Sequence, residues 1–303
     1  MVIPITSEAA TQHSPIRINS NADFSALGCF GSGTENDPWV IQNYEINGAG
    51  VGYCIYIGNT TDYIVVQNCN LYGASGNNDD YFWNAGLALY NVINCIVTNN
   101  TANRNDVNGI YLRSSNNNEI IGNKASDNGY GIHIDSSRDN KIIGNNASNQ
   151  FVGIYLKASD NNNITANYVS NNRFTPSTYS YGIYLSYSDN NNIYHNNFIN
   201  NVNQAYDDSG TNQWDCGSPS GGNYWSDYSG NGDTPYTDIQ GDSGAQDKYP
   251  LLQIFNSTGT NDGNASDNYL WFVTIAILII TSIVIILIYV NKKRNIEPPK
   301  ILQ

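Results

Sequence analysis

The feature that most constrains this chain is a repeat of about 22 residues running through its middle. Segments of the type Gly-Ile-Tyr-Leu begin at Gly109, Gly131, Gly153 and Gly182, with weaker relatives at Cys54 and Gly86. From Gly86 the steps are 23, 22, 22 and 29 residues, the last being one period plus a seven-residue insertion. Such a unit is too short for a strand–helix–strand crossover and too regular for a sandwich. A coiling chain fits: each unit lies about 4.8 Å above the last, and every strand pairs with its own copy.

Columns within the unit sharpen that expectation. Ile110/Leu112, Ile132/Ile134, Ile154/Leu156 and Ile183/Leu185 alternate with polar or aromatic residues, as in strands with one face inward. A second strand is expected to centre on Ile64, Ile96, Ile120, Ile142, Ile164 and Ile193, then Trp214. Two residues before each centre stand Asp62, Asn94, Asn118, Asn140, Asn162, Asn191 and Asn212. Three after it stand Gln67, Asn99, Asn123, Asn145, Asn167 and Asn196, and five after it Cys69, Thr101, Ala125, Ala147, Val169 and Phe198. Asn at a corner tolerates left-handed backbone and can hydrogen-bond to the Asn above and below. The chain is therefore expected to be all-β, a right-handed single-stranded parallel β-helix of about seven or eight rungs over residues 36–216. Residues 1–35 would form an N-terminal segment and cap, and 217–252 a C-terminal cap.

Composition agrees: 27 Gly and 23 Tyr beside a single Met suit turn-rich β structure. The 13 bases against 26 acids give −13 and disfavour nucleic acid as a partner, since that role needs a basic stripe. Cys29, Cys54, Cys69, Cys95 and Cys216 have no metal-type spacing, and no two repeat cysteines share an expected column. No cofactor or metal is implied by the residues themselves.

Leu270 to Val290 carries no charge and is rich in Ile, Leu and Val. As a helix it would span about 31 Å, enough for a bilayer core. Tyr269, Trp271 and Tyr289 sit where interfacial aromatics belong, and Lys292, Lys293 and Arg294 follow at once. By the positive-inside rule, residues 291–303 are a cytoplasmic tail and residues 1–269 lie outside a cell membrane crossed once. Residues 253–269 read as a polar stalk. Met1–Ser14 lacks the apolar run of a signal peptide, so the start is expected to be truncated or misassigned.

The repeats Gly131-Ile-His-Ile-Asp-Ser-Ser-Arg and Gly182-Ile-Tyr-Leu-Ser-Tyr-Ser-Asp, the opening Gly33-Thr-Glu-Asn-Asp-Pro-Trp-Val-Ile41 and the closing Gly222-Asn-Tyr-Trp-Ser-Asp-Tyr228, Gly232-Asp-Thr-Pro-Tyr236 and Asp247-Lys-Tyr-Pro-Leu251 resemble the NosD-like β-helix repeat proteins of archaeal and bacterial surfaces. The resemblance covers about His13 to Leu252 and implies the parallel β-helix. Relatives often carry an Asp-rich, calcium-like loop where this chain has only Ser229-Gly230-Asn231. The family's name comes from a periplasmic protein that assists copper-site assembly. Here the single Met1 and three scattered histidines, His13, His133 and His195, disfavour copper as a partner.

A binding face is expected on the outward column Tyr56, Ala88, Tyr111, His133, Tyr155 and Tyr184, beside Tyr90, Arg113, Asp135, Lys157 and Ser186. Insertions before Gly86 (with Asp79, Asp80 and Trp83) and before Gly182 enter at the same turn, three rungs or about 14 Å apart. They would wall a groove floored by Tyr111, His133 and Tyr155 and suited to sugar rings. The ligand-binding candidates are thus Tyr111, His133, Tyr155, Arg113, Asp135, Lys157, Tyr184 and Trp83, with a polysaccharide or a surface protein as partner. The competing expectations are a purely structural envelope or adhesion protein and a surface polysaccharide lyase or glycoside hydrolase. For catalysis Asp135 is the one candidate, and it lacks the second carboxylate that hydrolysis requires. Sequons occur at Asn59, Asn99, Asn146, Asn163, Asn256 and Asn264. Asn99 is assigned to the inward column, leaving Asn163, Asn256 and Asn264 as the glycan acceptors expected.

Overall fold

The computed structural model describes residues 10–76, 84–173, 179–218 and 221–256. Over these the chain is a right-handed parallel β-solenoid of about seven turns. Two nine-stranded sheets and one seven-stranded sheet run its length. A single rung shows the construction: strand Asn108–Arg113, strand Glu119–Ile121 and strand Lys124–Ser126 each belong to a different sheet. Each then pairs in parallel with its counterpart in the next rung: Tyr130–Asp135, Lys141–Ile143 and Asn146–Ser148. The ladders start at Thr11–His13 and Ile16–Ile18 and reach Tyr224–Trp225 and Ile239–Gln240.

The inward residues form one continuous core. Ile110/Leu112, Ile132/Ile134, Ile154/Leu156 and Ile183/Leu185 are fully buried, as the alternation predicts. Small residues, Ala102, Ala125 and Ala147, fill the core of the first sheet in mid-coil, and Val169, Phe198 and Trp225 succeed them towards the C-terminal end. The glycine that opens each long strand is set by a close approach. A Cβ on Gly131 would stand 2.5 Å from the Gly153 carbonyl oxygen and 3.0 Å from the Gln150 side-chain nitrogen.

Each corner divides its work between two neighbours. A residue with positive φ turns the chain, and the next residue points inward and bonds along the coil. Asn117, Asp139, Asn161 and Asn190 turn, and Asn118, Asn140, Asn162 and Asn191 bond. In this ladder Asn118 N donates to Asn140 Oδ1 at 2.9 Å, and its Nδ2 donates to the same atom at 3.2 Å. A second ladder runs Asn100, Asn123, Asn145, Asn167, Asn196, Asn223. Two more were not foreseen: Asn105, Asn128, Gln150, Asn172, Asn201, and the hydroxyls of Ser115, Ser137, Ser159 and Ser188.

The early rungs correct the expected register. Ile120 pairs with Val97, which pairs with Val66; Ile96 instead faces Val65 and Glu119 and is half-buried. The runs Ile64–Gln67 and Cys95–Thr98 offer consecutive β-branched residues, so alternation alone does not set their parity. The inward residue is therefore Asn100, and Asn99 is an exposed corner with φ 54. The ladder through Asn118 likewise starts at the backbone of Cys95, not at Asn94 or Asp62. The two insertions do enter between the same two sheets, but four strand steps separate them, about 19 Å. Residues 77–83, with Asp79, Asp80 and Trp83, lie outside the described residues, as do Asn264 and Leu270–Val290. Among the described residues no helix is long and apolar enough to cross a membrane.

Both ends are closed by tryptophans tied to carboxylates. Near the start, Trp39 stacks on Phe24 of the short helix Asn21–Ala26, and its Nε1 donates to Asp62 at 2.8 Å. At the other end Trp214 Nε1 donates to Asp207 and Trp225 Nε1 to Asp247, at 2.9 and 2.8 Å.

Candidate functional site

The central outward column of the second sheet is a run of aromatics in strict register. Tyr56, Ala88, Tyr111, His133, Tyr155, Tyr184 and Tyr206 follow one another from strand to strand. Parallel pairing sets equivalent side chains one above the next, so the rings meet. His133 stacks on Tyr155 at 4.7 Å and 16°, and Tyr184 on Tyr206 at 4.3 Å and 4°. Tyr155 meets Tyr184 edge-on at 5.4 Å.

The column divides into a closed half and an open half. Tyr56, Ala88, Tyr111 and His133 are at most 3% exposed. This corrects the expectation of a groove floored by Tyr111 and His133: both point out of the sheet, yet neither ring is available to a ligand. Tyr155, Tyr184 and Tyr206 are half-buried, so their rings are reachable. Tyr179 at 70% and Tyr187 at 79% exposure stand near this open half. Tyr206 was overlooked, although it lies 22 residues, one period, after Tyr184. Tyr187 was overlooked as well. It turns a corner with φ 49, where earlier rungs place Ser114, Ser136 and Ala158.

Polar groups surround the closed half. His133 Nδ1 donates to Asn108 Oδ1 at 3.1 Å, since an amide oxygen only accepts. That tautomer leaves Nε2 an acceptor, buried and with no hydrogen bond. Burial, with a smaller contribution from Lys157, drives the His133 pKa down to about 3 against the opposing pull of Asp135. The imidazole is therefore neutral at any physiological pH. Asp135 was expected within a row of charges from Arg113 to Lys157. It is 6% exposed and accepts from Ser136 Oγ at 2.8 Å and from the Tyr111 hydroxyl at 3.4 Å. Burial pushes the Tyr155 hydroxyl up to about 12, so that ring stays neutral too.

Arg113, Lys157 and Ser186 keep the expected second column and are half-buried. Beyond it Asp208 accepts from Ser186 Oγ at 3.3 Å and from Tyr187 N at 2.8 Å. Three strand steps separate Asp135 from the level of Asp208, about 14 Å, too far for a paired-carboxylate hydrolysis. The arrangement is an aromatic platform with a polar margin.

The donor set does not suit a copper ion. His13, His133 and His195 lie on separate rungs, in strand Thr11–His13, strand Tyr130–Asp135 and the corner after Asn192–Tyr194. Among the described residues no three His, Cys, Asp or Glu side chains stand together as a metal set. Burial lifts the Cys54 thiol to about 12 and Cys69 to about 11, so neither offers a thiolate at neutral pH.

Of the sequons, Asn163 is half-buried in strand Asn163–Thr165 with its Oδ1 enclosed, while Asn99 and Asn256 are exposed.

A family described as "Periplasmic copper-binding protein (NosD)" matches residues 39–230 of the chain. No curated protein sequence matches it. Among solved structures, a mutant of the periplasmic alginate epimerase AlgG superposes with a TM-score of 0.44 at 20% identity, over 52% of this chain and 39% of that one. The Dettilon tailspike protein gives 0.45 at 18% identity, over 61% and 40%. The enzymatically active domain of bacteriophage CBA120 tailspike protein 2 gives 0.38 at 18%, over 52% and 30%. The chain thus spans about two-fifths or less of each of these proteins.

Proposed function

The chain belongs to the NosD family, and on that footing we propose that it is a membrane-anchored, extracellular glycan-binding solenoid. The observation that carries this reading is the open half of the tyrosine column. The stacked pair Tyr184–Tyr206 and its neighbour Tyr155 offer ring edges and hydroxyls in a line. Rungs repeat every 4.8 Å or so, comparable to the length of one pyranose, so successive sugars can meet successive rings. Lys157, Ser186 and Asp208 lie along the margin as hydrogen-bonding groups. The anchor would be Leu270–Val290, with Lys292, Lys293 and Arg294 on the cytoplasmic side.

The test uses the full chain in detergent, run through gels containing neutral or acidic polysaccharides. Retardation by at least one polysaccharide is expected. The double substitution Tyr155→Ala, Tyr184→Ala should weaken it roughly tenfold, at about 0.5–1.5 kcal/mol per ring, with the β spectrum intact. Unchanged retardation in the variant would move the site elsewhere. No retardation of the parent chain would favour the second reading, a structural envelope protein, to which the closure of Tyr111 and His133 lends support. New reducing or unsaturated ends would point to a lyase or hydrolase, and loss of cleavage in Asp135→Asn would then place Asp135 in that chemistry.

A further inference from the structure

We propose that Asn99 is an N-glycosylation site, and that its glycan lies along a side-chain-free trough over Gly122 and Gly144. The proposal rests on the extracellular reading given above. Asn99-Asn100-Thr101 is a sequon that crosses a corner between strand Cys95–Thr98 and strand Thr101–Asn103. The buried neighbour Asn100 takes the inward place in the ladder, which leaves the Asn99 side chain out of it. Among the described residues the Asn99 side chain makes no hydrogen bond, and the corner is exposed. Thr101, whose hydroxyl the transferase must reach, is only half-buried.

The corners that follow in the same column are Gly122, Gly144, Ala166 and His195. Gly122 and Gly144 are exposed; a Cβ built on Gly144 meets nothing within 4 Å, and one built on Gly122 meets only Asn99 Oδ1, at 3.1 Å. The surface beside Asn99 is therefore bare for two rungs, about 10 Å, room for the first two sugars. Half-buried Ile121 and Ile143 flank it on one side, and the apolar face of a sugar can shield them.

The other sequons within the coil fit less well. Asn59 Nδ2 already donates to Asn19 Oδ1 at 3.1 Å, and its Oδ1 accepts from Asn91. Asn146 and Asn163 sit in strands with Oδ1 enclosed, and Thr165 is fully buried. In the reaction the anomeric carbon of a polyisoprenyl-diphosphate-linked oligosaccharide leaves its phosphate oxygen and bonds to Asn99 Nδ2. The lipid diphosphate departs, and the Nδ2 proton passes to solvent.

The full chain, purified from the membrane of an N-glycosylating host, is digested and its glycopeptides mapped by mass spectrometry. Asn256, exposed after the last rung, serves as the internal reference. The expected result is a glycan on the Asn99 peptide and none on the Asn163 peptide. Asn99→Gln should then lower the intact mass by one glycan while the chain still folds, since other rungs carry Gly or Ala at this corner. A bare Asn99 peptide beside a modified Asn256 overturns the proposal and leaves the surface reading standing. If both are bare, the proposal and the extracellular reading fall together.

Discussion

His133 and Asp247 are buried titratable groups whose protonation pulls stability in opposite directions. His133 titrates near 3 in the folded chain and near 6.5 unfolded, so on acidification the unfolded chain takes the proton first. Its contribution is complete above pH 6.5 and drains away as pH falls towards 3, by about 1.4 kcal/mol per pH unit. Burial lifts Asp247 to about 6 although Asn223 N, Trp225 Nε1 and Tyr249 N all donate to it. Here the folded chain takes the proton first, so stability rises as pH falls from 6 towards 4. Between about pH 4 and 6 these two slopes offset each other. Urea midpoints measured across that window should climb with acidification in His133→Phe and drop in Asp247→Asn; equal slopes in both variants would refute the assignment. The neighbours of these residues also show what a reader of the sequence can and cannot see. Spacing alone identified the Asn118–Asn191 and Asn123–Asn196 ladders. It put Asn99 rather than Asn100 in the inward place, because the turning residue and the bonding residue are often both Asn. Gln150 broke the identity of the Asn105 series and hid it. The outward direction of Tyr111 and His133 was legible, but their burial was not, since alternation reports which way a side chain points and not what lies over it.

At the scale of the element, a rung holds to its neighbours through the corners as much as through the strands. Asn145 illustrates the density of bonding: its Oδ1 accepts from Asn123 N and Nδ2, and its own Nδ2 donates to Ile120 O and Asn167 Oδ1. Alanine there leaves several buried groups without partners, each worth about 1–3 kcal/mol. Asn145→Ala is expected to lower stability by about 4 kcal/mol, whereas Asn99→Ala should change it by less than about 0.5 kcal/mol. Equilibrium denaturation of the two variants checks this, and similar losses in both would contradict the division of labour at the corners. The register error at Ile64 and Ile96 has the same scale: Ile64 lies two residues before the inward Val66, and Ile96 one before Val97. Ile64–Gln67 and Cys95–Thr98 carry too few polar residues to mark the outer face, and only the pairing with Glu119–Ile121 settles it.

For the molecule as a whole, stability should be distributed along one dimension, because each rung touches little beyond the rungs above and below. Trp225 stacks on Phe198 at 4.6 Å and on Tyr236 at 4.1 Å, and so seals the last turn. Trp225→Ala is expected to cost about 3–5 kcal/mol. Hydrogen exchange should show protection lost first in Asn192–Asp207 and retained in Tyr53–Asp135; uniform loss would mean that the coil melts as one unit. Amide-to-amide donation along the ladders runs one way. Each Asn passes its backbone N–H forward to the Oδ1 of the next, while its Nδ2 also reaches back to a carbonyl of the rung before, and at the end Asn212 Nδ2 meets Asp207 and Asn223 N meets Asp247. A rung therefore meets the same chemistry ahead and behind wherever it stands in the series. A gene segment encoding one rung could be copied or dropped in frame without orphaning any group on either side. The length of such a molecule, and with it the reach of its outer faces, is then open to inheritance as copy number while the terminal carboxylates mark where the series stops.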